Sequence, residues 1–286
     1  MPQGALPSIP SVFYINRPKI SVAAVLFRRR CTKVCGPGGC FFVPLVRFKT
    51  TIMAKNPTKE VRMYLRIRNL CGLLGIILPA LALFSASIAA HPGEDWWWSL
   101  SATYYQSPAL VGVLVPACIV LISYIGYDLV DNLLTSAAGI MGLGIVLFPC
   151  KVSWIPDGTP VGFFQIPVEI SHYIHAGCAA LFFLAIAFNS IFQFTRSNKT
   201  MTDRKKLRNR IYRICGYGML AVEVIFFLSR VIPAAPRYLA MILEIVLLLL
   251  FGIAWLVKGQ AFPFLNDVEE KESDPATEAE PDAGSR

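Results

Sequence analysis

Two carboxylates, Glu223 and Glu244, stand inside otherwise apolar stretches of this 286-residue chain. An ionisable group in hydrocarbon costs several kcal/mol, about 3 on insertion scales, so each is a candidate functional group. Glu223 lies seven residues before Arg230, and Glu244 seven residues after Arg237. That spacing predicts a shared depth, roughly 10 Å from the same end of two successive helices. If they face each other unaided, one stays protonated, because like charges raise one pKa. A proton- or ligand-linked pair and a hydrogen-bonded structural pair both satisfy this pattern. For a self-contained pair, Glu→Leu is expected to be neutral or stabilising. A second group, Glu169, His172 and His175, keeps to one drifting face of a helix. The segment 90–108 adds His91, Glu94, Asp95, Ser101 and Tyr104. Glu223, Glu244, His172, His175, Tyr104 and Ser101 are the candidate lining of a polar cavity. His172, His175, His91 and Glu169 are an alternative donor set for zinc or another divalent metal. Interfacial hydrogen bonding competes with that metal reading.

The elements that must position these groups are six apolar runs, Leu70 to Ala90, Leu110 to Leu129, Leu133 to Phe148, Ser171 to Phe194, Ile211 to Leu228 and Tyr238 to Val257. Each approaches the roughly 20 residues that cross a hydrocarbon core of about 30 Å. Only a helix satisfies its own backbone there at this length. The expected fold is all-α, a bundle of six transmembrane helices in a multi-pass integral membrane protein.

Charge gives the orientation. The net charge is +9, but the Lys and Arg residues cluster beside spans rather than forming a nucleic-acid surface. Thirteen of 27 precede the first span and eight lie between Arg196 and Arg213. Basic loops mark the cytoplasmic side, so both termini are predicted to be cytoplasmic. The loops 90–108 and 149–170 then face outward, with Trp96, Trp97, Trp98, Tyr104, Tyr105 and Trp154 as an outer aromatic belt and Trp255 near the inner interface. Asp128 and Asp131 belong to the inner turn between spans two and three, a bilayer away from the histidines, and Asp131 is the predicted cap of span three.

The chain divides into 1–59, 60–265 and 266–286. The first part has ten basic residues and no acid. It reads as a disordered leader: an organellar transit peptide, an extension upstream of a start at Met53, or, least favoured, a structured segment. Its Cys31, Cys35 and Cys40 lack the fourth ligand of a zinc site. The last part carries eight acidic residues and is expected to be disordered. Of the other cysteines, Cys71, Cys118, Cys178 and Cys215 fall within spans as small apolar residues and Cys150 at the outer face, so no disulfide framework is implied.

Within the bundle, Ala138 and Gly142 in span three and Ala176 and Ala180 in span four have small-xxx-small spacing. These predict close packing of the two spans, with Phe182, Phe183 and Phe188 turned elsewhere. A homo-oligomer seam is the competing use of such a stripe.

Several spaced motifs resemble a group of small bacterial integral membrane proteins of unknown function. They are Ser99-Leu-Ser-Ala-Thr-Tyr-Tyr, Val111-Gly-Val-Leu, Ser123-Tyr-Ile-Gly-Tyr-Asp128, Ala138-Gly-Ile, Leu147-Phe-Pro, His172-Tyr-Ile-His-Ala, Arg208-Asn-Arg-Ile-Tyr-Arg, Leu243-Glu and Ala254-Trp-Leu-Val-Lys-Gly259. The resemblance covers about Leu65 to Asp267 and implies six spans, in the inner membrane if the source is bacterial. More distantly, the Ser-x-Ser-x-Tyr-Tyr loop resembles the damage-regulated autophagy modulators. The Ser and His pattern resembles the alkaline ceramidase and progestin receptor superfamily, seven-span metal hydrolases. This chain departs from the latter with six spans, His-x-x-His spacing and Asp128 on the opposite side.

The chain lacks a Walker loop, a nucleophile elbow and HExxH. The expectation is therefore a membrane protein, in contact with lipids, that binds a lipid headgroup, small solute or proton in an outer-half cavity, without a cofactor. The alternative is a zinc-dependent membrane lipid hydrolase using His172 and His175.

Overall fold

A computed structural model describes residues 30–36, 39–45, 57–126, 128–197, 201–232 and 236–267. The chain forms two compact units, 1–57 and 58–286. In the first, β1 (Arg30–Gly36) and β2 (Gly39–Leu45) make an antiparallel hairpin with Cys35 opposite Cys40. The rest of the leader and the tail beyond Asp267 lie outside the described residues, and with them most of the expectations for 1–59 and 266–286.

The second unit is built on six helices: α1 (Pro57–Ala89), α2 (Ala109–Ser123), α3 (Leu129–Leu147), α4 (Val168–Phe188), α5 (Asp203–Val231) and α6 (Leu239–Lys258). Five of them, all but α2, are long and apolar enough to cross a membrane. A π-helical turn, Asn189–Gln193, prolongs α4. Its i→i+5 bond runs from the Phe194 N–H to the Asn189 carbonyl at 3.0 Å.

The 15 residues of α2 span only ~23 Å. Before it a 3-10 helix, Leu100–Tyr105, tucks into the bundle with Leu100, Ala102 and Thr103 buried. The sequence pattern places 90–108 wholly in an outer loop, so this insertion is a difference. At its far end α2 stops six residues before the apolar run does. There Tyr124 turns extended, and its ring is buried edge-on against Trp255 at 5.1 Å. Tertiary anchoring overrides the apolar pattern.

The same turn corrects the predicted cap. Asp128, not Asp131, caps α3: its carboxylate accepts the Asp131 N–H at 2.9 Å. It also pairs with Arg196 beyond the end of α4, far along that helix from the histidines. Together the Asp131 N–H and the Arg196 guanidinium hold the Asp128 carboxyl below its ordinary value. Asp131 is buried in the first turn instead.

Helix α3 does pack against α4, with the expected Gly142 and its neighbour Gly144 in the seam. A Cβ on Gly144 would strike the Cys178 side chain, and one on Gly142 would crowd the Phe182 ring at 3.3 Å. Phe182 and Phe183 are core residues, and only Phe188 points outward. Ala176 is exposed, so it takes no part in that seam. Gly72 of α1 and Gly252 of α6 let two backbones approach, since a Cβ on Gly72 would lie 2.8 Å from the Gly252 carbonyl oxygen. Trp255 is fully buried among Tyr124, Phe194 and Phe251 rather than standing in an interfacial belt.

Candidate functional site

The first turn of α4 is held by the loop that precedes it. The Ser171 hydroxyl donates to the Pro149 carbonyl at 2.8 Å. His172 Nδ1 accepts the Lys151 N–H at 3.3 Å, which leaves the ring proton of neutral His172 on Nε2. One turn deeper, His175 Nδ1 faces the carbonyls of Ile145 (3.1 Å) and Phe148 (2.8 Å). Both partners are acceptors, so Nδ1 carries the proton, and His175 closes the open carbonyl end of α3. In the neutral ring Nε2 then holds a lone pair. Three residues apart on one helix, the two histidines are thus fixed in opposite tautomers.

Glu244, one turn into α6, is clamped by the inserted loop. The Ser99 hydroxyl donates to both of its carboxylate oxygens, at 2.9 and 3.0 Å. The Leu100 N–H and the Ser101 N–H, the latter at 3.2 Å, donate to Oε2, and the Ser101 hydroxyl reaches Oε1 at 3.3 Å. Those two amides are the first of the 3-10 helix, which has no cap of its own from Ser99. A carboxylate at such an end satisfies its orphan donors and complements its partial positive charge. Glu244 is therefore a cap supplied from another helix.

Glu223 lies on α5, partly buried. Among the described residues it has no hydrogen-bond or ion-pair partner.

These side chains meet in one cavity of about 120 Å³ to which all six helices contribute. Glu223, Glu244, His172, His175 and Ser101 all line it, along with Ser99, Cys150 and Arg230. Its remaining wall is apolar, including Leu78, Leu110, Leu114, Phe182, Phe183, Phe226 and Leu247. The cavity could hold about four waters at ~30 Å³ each, and polar groups on several sides suit them. Tyr104 is not in this lining; it packs edge-on against Tyr105 at 5.2 Å.

The other proposed donors are engaged elsewhere. His91 is exposed beside Glu94, at 3.7 Å. The Glu94 carboxyl, which accepts the His91 and Gln106 N–H groups, is held below its ordinary value mainly by the first of these bonds. Glu169 accepts the Gly158 N–H at 3.0 Å and lies 3.9 Å from Lys151. Lys151 is raised, and Asp157 lowered, by their own contact at 2.6 Å. Among the described residues, no three His, Cys, Asp or Glu side chains are grouped to hold a metal ion.

Three features escape the sequence pattern. Ser99 and the backbone of Leu100 hold Glu244; the signal available was a serine-flanked loop opposite a lone acid in an apolar helix. Arg230, read only as a loop-edge charge, lies over Phe226 at 5.2 Å and lines the cavity. At the other end of the helices Lys258 is buried 4.7 Å over Phe194, within electrostatic reach of Asp131 and Arg68. A lysine ending an apolar run reads as an interfacial anchor, and nothing in its neighbours announces burial.

Comparison with protein-family models, curated proteins and solved structures gives no significant match.

Proposed function

We propose that this chain is a six-span integral membrane protein, with α2 as the short sixth span and both termini cytoplasmic, whose outer-half cavity takes up a proton or a small polar solute. The carrying observation is the meeting of Glu223, which has no partner among the described residues, with His172 and His175 in one cavity. A carboxyl without a protein partner in an apolar wall gains most from a proton or a ligand donor. Volume narrows the choice. An engineered 150 Å³ cavity holds a benzene-sized molecule, so about 120 Å³ suits a few waters or a solute of that order better than an entire lipid headgroup. The motif resemblance to small six-span membrane proteins supports the same architecture. The zinc hydrolase alternative draws no support from the donor arrangement, because His91 and Glu169 are committed to their own loops.

A thermal-shift panel of small carboxylates, amines and polyols on the purified full chain tests the proposal. At least one class is expected to raise the unfolding temperature of the wild type and not of Glu223→Gln. An identical response in both proteins for every class, across the pH range, would contradict a ligand role for Glu223.

A further inference from the structure

The 29 residues of α5 make a rod of ~44 Å, longer than a hydrocarbon core of about 30 Å and close to a bilayer with its headgroup layers. Its first three turns carry six cations: Arg204, Lys205, Lys206, Arg208, Arg210 and Arg213. Four have protein acceptors. Arg204 donates to the Asn266 carbonyl. Lys205 donates to the Phe194 carbonyl at 3.3 Å. Lys206 pairs with Asp203 at 2.8 Å, and Arg208 with Asp267 at 2.6 Å. Arg210 and Arg213 have none among the described residues. If the cations served only as a topology signal, no such sorting would be needed.

Arg210 and Arg213 line a groove of about 810 Å³ with Asn209, Leu207, Ile214 and Tyr217, and the Asp203–Lys206 ion pair, closed on itself at 2.8 Å, stands at the same groove. Further along the helix, Ile214 and Tyr217 are 60 % and 58 % exposed, an apolar wall on the side toward the middle of the helix. The groove thus runs from two cations without an acceptor among the described residues to an apolar surface.

We infer that this groove binds one acidic glycerophospholipid, its phosphate between Arg210 and Arg213 and an acyl chain along Ile214 and Tyr217. Arginine is suited to the phosphate because its planar fork donates two parallel hydrogen bonds. Phosphatidylglycerol, with a net negative charge, is favoured over phosphatidylcholine, whose choline cation cancels its phosphate and faces two arginines. Bulk attraction between a basic loop and an anionic surface would treat all six cations alike; a site would not.

The full-length protein in nanodiscs, carrying equal phosphatidylglycerol and phosphatidylcholine, tests this by native mass spectrometry of lipids retained after gentle release. One phosphatidylglycerol per chain is expected on the wild type. Arg210→Gln with Arg213→Gln should reduce its retention by more than tenfold, at about fivefold per charge. Arg204→Gln, which removes a cation outside the groove already spent on the Asn266 carbonyl, should change it less than twofold. Soluble glycerol phosphate added in excess should not displace the lipid, since it lacks the chain; displacement would assign the groove to free phosphate esters and overturn the lipid assignment. Equal retention of both lipids, or equal losses in Arg204→Gln and the double arginine variant, would overturn the site.

Discussion

Replacing Glu244 by leucine separates a self-contained acid pair from a cap. A pair within the bundle would tolerate apolar replacement. The observed geometry predicts the opposite. Without the carboxylate, the Leu100 and Ser101 amides lose their acceptor in a buried loop, at about 1–3 kcal/mol each. Release of a partly buried charge offsets some of this, leaving a net loss of about 2–4 kcal/mol. At roughly 2–4 °C per kcal/mol for a unit of this size, the unfolding temperature should fall by roughly 5–15 °C. Glu244→Gln keeps one acceptor oxygen but turns an NH2 toward donors, and should cost about 1–2 kcal/mol. Ser99→Ala removes the hydroxyl that bridges both carboxylate oxygens, so its effect should largely vanish in the Glu244→Leu background. Thermal unfolding in detergent, read alongside protease cleavage in 90–108, measures all three. A Glu244→Leu protein as stable as the wild type, with that segment still resistant, would refute the capping role.

Further predictions follow from other contacts. Gly139→Ala should destabilise by about 1–3 kcal/mol in the same assay, because its Cβ would sit 2.6 Å from Ile122 Cγ1 and 2.7 Å from the Cys118 carbonyl oxygen. Gly112→Ala in α2 meets nothing within 4 Å and should stabilise by about 0.5–1 kcal/mol. Asp128→Asn should lower the unfolding temperature at neutral pH and converge with the wild type in acid. The folded carboxyl is lowered from its ordinary 3.8, so its contribution is complete above that value and lost as pH falls through the lower folded one. Thiol labelling from outside should reach Gln165→Cys and miss Ser197→Cys; the reverse would overturn the sidedness. Ser101 is a poor labelling site for this purpose, being tied to Glu244. Elemental analysis of the purified protein separates the cavity proposal from the zinc alternative: equimolar zinc lost on His172→Ala would favour the hydrolase.

What was legible in the sequence is what lipid imposes. A run of apolar residues between charged flanks must be a helix if it crosses hydrocarbon, so five long helices could be read with little error. Helix ends were harder, because they are set by side chains arriving from elsewhere. Tyr124 stops α2 through its contact with Trp255, and Asp128 starts α3 through an amide three residues on, a choice between two nearby aspartates that only geometry decides. In the site, depth counting brought Glu223 and Glu244 to one level, but could not show how the hydrogen bonds of the lining groups are spent. Glu244 and His175 each cap another element, while Glu223 has no partner among the described residues. Tyr104 illustrates the limit: Ser101 and Tyr104, three residues apart, share one face of the 3-10 turn, yet only Ser101 lines the cavity, because one turn further on Tyr104 is packed against Tyr105.

The central claim is that Glu223 stands in a hydrated, proton- or solute-accessible cavity. Infrared difference spectroscopy between acidic and neutral pH, on the full chain in lipid, addresses it directly. A carboxyl stretch that titrates, disappears in Glu223→Gln and shifts within minutes of transfer to D2O is the predicted result. A Glu223 carboxyl band that neither titrates nor exchanges would mark a sealed structural group and contradict the proposed function.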